Sequence, residues 1–228
     1  MNGYISTGSE SFDNFLNGGY EKNVITTIYG PGGSGKSNLC ILSAIATIKS
    51  GGKVIYIDTE SSFSINRFKQ IAKEKTKEYL NDIIFLKPHS FAEQKEVIEK
   101  LKNNMSESIG LIIIDSIATH YRLEYGKTNE IYSVNRELGL QISYLATIAK
   151  KNAVTVLLTN QVYSAFDETD DVKVVGGDVM RYASKAMFEL KKAKNNLRAV
   201  IIKKHRSLPE GREFIFEITS NGITEMDN

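Results

Sequence analysis

Residues 30–37 read Gly-Pro-Gly-Gly-Ser-Gly-Lys-Ser: four glycines and a proline on one corner, with a cation and a hydroxyl directly after it. Glycine reaches backbone conformations closed to other residues, so such a corner can fold into a concave nest with its N–H groups pointing inward. An apolar run, Val24–Tyr29, leads into it, and an amphipathic helical pattern, Lys36–Lys49, leads out. Strand, glycine loop and helix start together suit a phosphate chain, because the loop amides and the positive end of the helix dipole all face the anion. Lys36 would reach the β- and γ-phosphates of ATP, and the Ser37 hydroxyl would ligate Mg²⁺. Gly30, Pro31, Gly32, Gly33, Ser34, Gly35, Lys36, Ser37 and Asn38 are therefore the expected nucleotide cradle. A chance glycine-rich turn is the competing reading, and eight positions in the required context speak against it.

A nucleotide-bound metal needs a second acid. Leu111-Ile112-Ile113-Ile114-Asp115 is an apolar run ending in a carboxylate, which places Asp115 at the C-terminal end of a buried strand, where open α/β sheets put their ligands. Hydrolysis also needs a group that orients water. Ile57-Asp58-Thr59-Glu60 ends another run with two acids. Glu60 is the candidate for polarising the attacking water. Asp58 could take that role instead, or both could cap a helix beginning near Ser64. A third run ends Thr159-Asn160-Gln161, and a neutral amide there can sense a γ-phosphate and pass its loss to the following segment.

These positions hang on an alternation of elements. Strands are expected at Val24–Tyr29, Lys53–Asp58, Ile83–Lys87, Leu111–Asp115 and Thr155–Thr159, and helices at Lys36–Lys49, Ile65–Tyr79, Phe91–Asn104 and Ser133–Lys151. The strands are continuously apolar rather than alternating, which suits a parallel sheet covered on both faces. After Ala183, the runs Ala186–Lys191, Arg198–Lys203 and Phe214–Thr219 have short connections and read as an antiparallel extension of the sheet. The fold class is α/β, and the whole of residues 1–228 is expected to form one domain.

Composition is that of an ordinary globular chain, 41% apolar and 25% charged, which excludes the disordered class. No apolar run approaches the roughly 20 residues that span a bilayer. The first ten residues lack the charge and apolar pattern of a signal peptide. The single cysteine, Cys40, cannot form an internal disulfide, which fits the cytoplasm. Net charge is +2, yet Lys185–Arg212 alone carries nine Lys or Arg against Glu189 and Glu210. Such a segment can mark a polyanion site, although on charge alone a solvated sheet edge is the better reading.

YISTGSESFDNFLNGGYEKNVITTIYGPGGSGKSNLC, VIYIDTESSF, LIIIDSIATHYRLEY and VLLTNQV fall in order at the proper spacing, and with them the chain resembles the RecA/RadA recombinases along nearly its whole length. It is especially similar to the short archaeal RadB branch, which is the RecA-like ATPase core without an N-terminal helix–hairpin–helix domain. The resemblance implies DNA repair and recombination, with weak Mg²⁺-dependent ATPase activity. It makes Glu60 the catalytic glutamate, Arg67 an arginine that stacks on adenine, and Gln161 the link from γ-phosphate to a DNA-binding loop. Thr119–Ser133 would be the first DNA loop, with Arg122 and Arg136 as contacts. Val162–Asp178 would be the second, closed by Gly176-Gly177 and carrying Lys173. Leu208-Pro209-Glu210-Gly211 matches a cap over a neighbouring protomer's ATP, so Pro209 joins the nucleotide contacts. The implied partners are single-stranded or branched DNA, a RadA-type recombinase, a Holliday-junction nuclease and further copies of the chain, with ATP at the interface.

Two departures qualify this picture. The second loop carries Asp167, Glu168, Asp170 and Asp171, and four carboxylates repel phosphate. Where RadA has an Asp that binds a cation near the γ-phosphate, this chain has Lys204, followed by Arg206. Lys-x-Arg there is similar to the KaiC and DnaB side of the superfamily, whose side chains act on a neighbour's γ-phosphate. Lys204 and Arg206 are accordingly expected to complete the site across an interface. Tyr121, Tyr163 and Phe166 could stack on single-stranded bases, or each could simply pack. An ATP-gated interaction module, and a KaiC-like regulatory ATPase with no DNA role, stand as the alternatives.

Overall fold

The computed structural model describes residues 3–126, 131–163 and 173–226. Nine strands form the central sheet: β1 (Ile25–Tyr29), β2 (Lys53–Asp58), β3 (Ile83–Leu86), β4 (Ile109–Asp115), β5 (Thr155–Asn160), β6 (Ala186–Lys192), β7 (Arg198–Lys204), β8 (Glu213–Thr219) and β9 (Gly222–Glu225). Their spatial order is β9-β8-β7-β6-β1-β5-β4-β2-β3. The six strands from β6 to β3 are parallel, and β7, β8 and β9 continue the sheet antiparallel. Among the described residues, eight helices accompany them: α1 (Glu10–Phe15), α2 (Lys36–Lys49), α3 (Ile65–Ala72), α4 (Thr76–Leu80), α5 (Phe91–Asn103), α6 (Thr119–Tyr125), α7 (Ile131–Lys151) and α8 (Gly177–Ala183).

The apolar strands are covered on both sides. Leu111 and Ile113 of β4 join Val54, Tyr56 and Leu157 in one core cluster with Leu39, Cys40, Ile45 of α2 and Phe68 of α3. Ile112 and Ile114 join Ile55, Ile57, Val156 and Leu158 in the other, with Ile98 of α5 and Leu138, Ile142 and Leu145 of α7. Successive strand residues face opposite sides, so a strand buried on both faces has no position to spend on a polar residue. Cys40 is buried in the first cluster, in keeping with a packing role.

The structure differs from the expected elements in several places, among them α1, α6 and α8, which no expectation covered; α6 and the start of α7 fall on Thr119–Ser133, expected as the first DNA loop. The segment 65–79 is not one helix: Lys73 takes φ 53°, a 3₁₀ turn covers Lys73–Lys75, and α4 restarts at Thr76. Ala186–Lys192 is not simply the first strand of a meander. It runs parallel to β1 on one side and antiparallel to β7 on the other. The short helix α8 before it turns the chain, so β6 enters in the direction of β1, and only from β7 onward can tight turns give antiparallel pairing. The extension also has a strand, β9, that no expectation covered.

This topology sorts the chain's ends. Because β1, β2, β4 and β5 are parallel, their C-terminal ends lie along one edge of the sheet. Asp58 is paired with Asp115, and Tyr29 with Asn160, across adjacent strands. Four segments far apart in sequence therefore open onto one rim. Since β7 runs the other way, its end at Lys204 lies toward the opposite edge.

Candidate active site

The glycine loop leaves β1 at Tyr29 and ends in α2. Gly30 is at φ 157°, and a Cβ there would lie 2.3 Å from the Leu190 carbonyl oxygen, so β6 packs too closely for any side chain. Gly35, at φ 105°, caps α2 in a left-handed conformation that a glycine adopts at little cost. Lys36 Nζ donates to the carbonyl oxygens of Gly30 at 2.8 Å and Pro31 at 3.0 Å. Burial pulls its pKa down; Glu60 and Asp115 raise it, and Lys192 lowers it further. A partly desolvated ammonium held only by carbonyl dipoles is a good receptor for an anion. The Ser34 hydroxyl is buried in the same loop with no hydrogen-bond partner, a second donor awaiting an acceptor. The loop thus fits a phosphate chain.

Asp115 is buried at the end of β4. Its Oδ2 accepts from the Tyr56 hydroxyl at 2.9 Å and the Ser62 hydroxyl at 3.1 Å, and its Oδ1 from the Thr159 hydroxyl at 2.5 Å. Three hydroxyls from three segments fix this carboxylate. Burial, with the Asp115 charge beside it, raises the Tyr56 pKa well above the ordinary phenol value. Among the described residues no cluster of three or more His, Cys, Asp or Glu could hold a metal ion unaided. A metal here would take its remaining ligands from Ser37, water and phosphate oxygens.

The two acids after β2 separate. Asp58 is buried and accepts the backbone N–H groups of Ser62 at 2.9 Å and Phe63 at 3.2 Å, so it caps the loop. Ser64, not either acid, caps α3, accepting from Arg67 N. Glu60 is exposed, and its Oε1 accepts from Thr119 Oγ1 at 2.8 Å and from Gln161 Nε2 at 2.6 Å. The Gln161 amide in turn accepts a hydrogen bond from Arg122 Nη1. Arg122 lies over the Tyr163 ring at 5.7 Å, and Tyr163 pairs with Lys173 across a short antiparallel ladder. One row of contacts therefore joins Thr119, Glu60, Gln161, Arg122, Tyr163 and Lys173. Thr119 was expected only as the start of the first DNA loop, not as a partner of Glu60. It gives no motif signal, being simply the first residue of α6.

Other expected residues sit as follows. The Arg67 guanidinium is held in its plane by Asn38 Oδ1 (2.6 Å), Gln70 Oε1 (3.0 Å), Thr219 O (2.6 Å) and Gly222 O (2.8 Å). It ties α3 to α2 and to the β8–β9 turn. Arg136 is exposed near the start of α7. Tyr121 is 4% exposed, packs on Phe91 and Tyr125, and donates to Asn135 Oδ1 at 2.6 Å, so it is a core residue and not a stacking platform. Tyr163 is exposed. Phe166 and the acids Asp167, Glu168, Asp170 and Asp171 lie outside the described residues. Gly176, at φ 81°, caps α8 against Leu138.

The basic segment is not one patch. Lys191 and Lys203 flank buried Glu189 at 3.7 and 3.4 Å. Arg212 covers the Phe15 ring, and Arg206 faces Glu21 at 3.7 Å. Lys204 Nζ donates to the Arg181 carbonyl oxygen. Lys192 and Arg198 lean on the glycine loop instead.

A family model described as Rad51 matches residues 3–226. Among curated relatives, a DNA repair and recombination protein RadB of Methanobrevibacter smithii is 42% identical over 225 residues, covering 96% of this chain and 94% of that protein. Its namesake in Methanococcoides burtonii is 41% identical, covering 96% of each chain. Another, in Methanococcus maripaludis, is 44% identical over 92% of this chain and 96% of that one. A solved structure described as the crystal structure of the RadB recombinase superposes with a TM-score of 0.82 at 34% identity, covering 98% of this chain and all of that one.

Proposed function

The chain belongs to the Rad51 family, in its RadB branch, and on that premise we propose that it is an ATP- and DNA-binding repair and recombination protein that assists or regulates a main recombinase. The observation that carries this reading is the row of contacts from the glycine loop's rim to an exposed basic and aromatic surface. Lys36 and the loop amides bind the ATP phosphates, and Ser37 and, through water, Asp115 hold Mg²⁺. A Mg²⁺ held there would supply charge neutralisation for the phosphates. Glu60 orients and deprotonates the attacking water. Gln161, bonded to Glu60 on one side and to Arg122 on the other, couples that carboxylate to DNA held by Arg122, Lys173, Tyr163 and Arg136. Arg67 offers the faces of its in-plane-bonded guanidinium to the adenine.

Lys204, Arg206 and Pro209 act on a neighbouring copy. The support is position: β7 ends toward the edge opposite the glycine loop, so these groups serve a second protomer's nucleotide or none. The test of the main reading is ATP turnover with and without single-stranded DNA, joined to a gel-shift titration of single-stranded, duplex and branched DNA with and without nucleotide. Stimulation by DNA and nucleotide-dependent shifts are expected. Absence of any Mg²⁺-ATP binding would end it. A second reading, an ATP-gated module that docks on a RadA-type recombinase or a junction nuclease, draws support from the four acids at 167, 168, 170 and 171. It predicts partner capture that needs ATP but survives loss of turnover.

A further inference from the structure

The turn between β6 and β7 overhangs the glycine loop. A Cβ on Gly33 would lie 3.3 Å from Lys192 Nζ, so the ammonium sits directly on the open face of that glycine. Arg198 Nε donates to the Gly33 carbonyl oxygen at 3.2 Å, while its Nη1 donates to the Asn196 and Leu197 carbonyl oxygens at 2.8 and 2.9 Å. One guanidinium thus stitches the hairpin turn to the loop. Across a trans peptide the C=O and N–H point in opposite directions. With the Gly33 carbonyl turned to Arg198, the Ser34 N–H turns into the loop, where it meets Pro31 O at 3.3 Å. The hairpin can hold this pose because Asn195 and Asn196 take left-handed conformations, at φ 54° and 61°, which asparagine tolerates better than most residues.

We propose that Lys192 is a second, in-chain cation for the polyphosphate of the bound nucleotide, carried onto the loop by a hairpin that Arg198 braces. The proposal rests on the ATP reading above and adds a residue to its binding site. Lys192 is exposed and makes no described ion pair, whereas Lys191, on the other face of the same strand, is paired with Glu189. Two ammonium groups, Lys36 and Lys192, then flank one loop and repel each other until an anion lies between them, which is why Lys192 depresses the Lys36 pKa.

The experiment is calorimetric titration of the full chain with Mg²⁺-ATP and, separately, with inorganic tripolyphosphate, for the wild type, Lys192→Ala, Lys192→Arg and Lys194→Ala. Lys192→Ala should weaken both ligands about 5- to 20-fold, as loss of one charge-assisted contact does. Lys192→Arg should stay within about threefold of wild type, and Lys194→Ala, on the same hairpin, within about twofold. The melting temperature without ligand should not move for any of them. Equal affinities for wild type and Lys192→Ala would overturn the proposal and leave the ATP reading standing, as would an equal loss for Lys194→Ala or a parallel fall in ligand-free stability. A wild type that binds neither ligand would instead sink the ATP reading, and this one with it.

Discussion

At the scale of residues, the informative pair is Asp58 and Glu60. Two acids two positions apart at a strand end look interchangeable in sequence, and the structure gives them opposite tasks. Asp58 is buried and spends both oxygens on the Ser62 and Phe63 amides. Glu60 is exposed and bonds only side chains, Thr119 and Gln161. Removing a buried acceptor strands its donors, at about 1–3 kcal/mol for each group left unsatisfied. Asp58→Ala should therefore lower the unfolding free energy by about 2–6 kcal/mol, since two amides lose their acceptor. Glu60→Gln should leave the unfolding free energy within about 0.5 kcal/mol of wild type, as exposed substitutions do. On turnover the expected order reverses: Glu60→Gln should cost about 10²-fold or more in ATP hydrolysis, the range for loss of a positioned base, with Mg²⁺-ATP affinity kept. A Glu60→Gln chain that hydrolyses ATP at the wild-type rate would remove Glu60 from the chemistry. The glycine loop was legible because its eight positions are contiguous. The division between Asp58 and Glu60 was not, because the turn at 59–63 decides which carboxylate the backbone amides capture, and no local pattern encodes that turn.

At the scale of elements, the strands were legible and their environments less so. Five apolar runs announce five strands, since a parallel strand buried on both faces must be apolar throughout. The break at Lys73 and the direction of β6 were hidden, because each depends on where a neighbour lies. The same holds for the Leu208–Gly211 segment, which hangs on an imidazole. His205 Nδ1 accepts from the backbone N–H groups of Ser207 and Leu208, each at 3.2 Å, and the ring stacks on Phe188. An accepting Nδ1 carries no proton, and protonation would place a donor against two donors. Burial lowers the His205 pKa, Glu21 opposes the shift, and Arg206 adds to it. A folded value below the unfolded one means that the unfolded chain takes up the proton first. The stabilisation is present in full above the ordinary imidazole value of about 6.5 and is lost as pH falls through the lowered folded value. Thermal unfolding should accordingly show a pH-dependent loss in that window that His205→Asn, which cannot titrate, lacks. Wild type and His205→Asn tracking together through the window would dismiss the imidazole as the anchor.

At the scale of the whole molecule, the sheet puts the glycine loop on one edge and a cationic cluster toward the other. Lys204, Arg181 and Lys185 crowd together: burial lowers the Lys204 pKa, and Lys185 and Arg181 lower it further. Crowded cations are relieved by an anion, and this chain's own loop lies across the sheet. Two different edges that complete each other make a head-to-tail interface, not a self-complementary one. The consequence can be measured by mixing. Lys36→Ala disables the glycine loop and keeps the cationic edge, whereas Lys204→Ala/Arg206→Ala does the reverse, and each alone should have little ATPase activity. In an equal mixture, the interfaces that join an intact loop to an intact cationic edge make up about a quarter of the total if assembly is random. On the proposed trans arrangement, ATPase should then recover to about a quarter of wild type, and specific activity should rise with protein concentration. If Lys204 and Arg206 supply positive charge at a neighbour's γ-phosphate, potassium should stimulate only weakly. A mixture no more active than its two components, or a strong potassium requirement, would return Lys204 and Arg206 to the role of a solvated strand end.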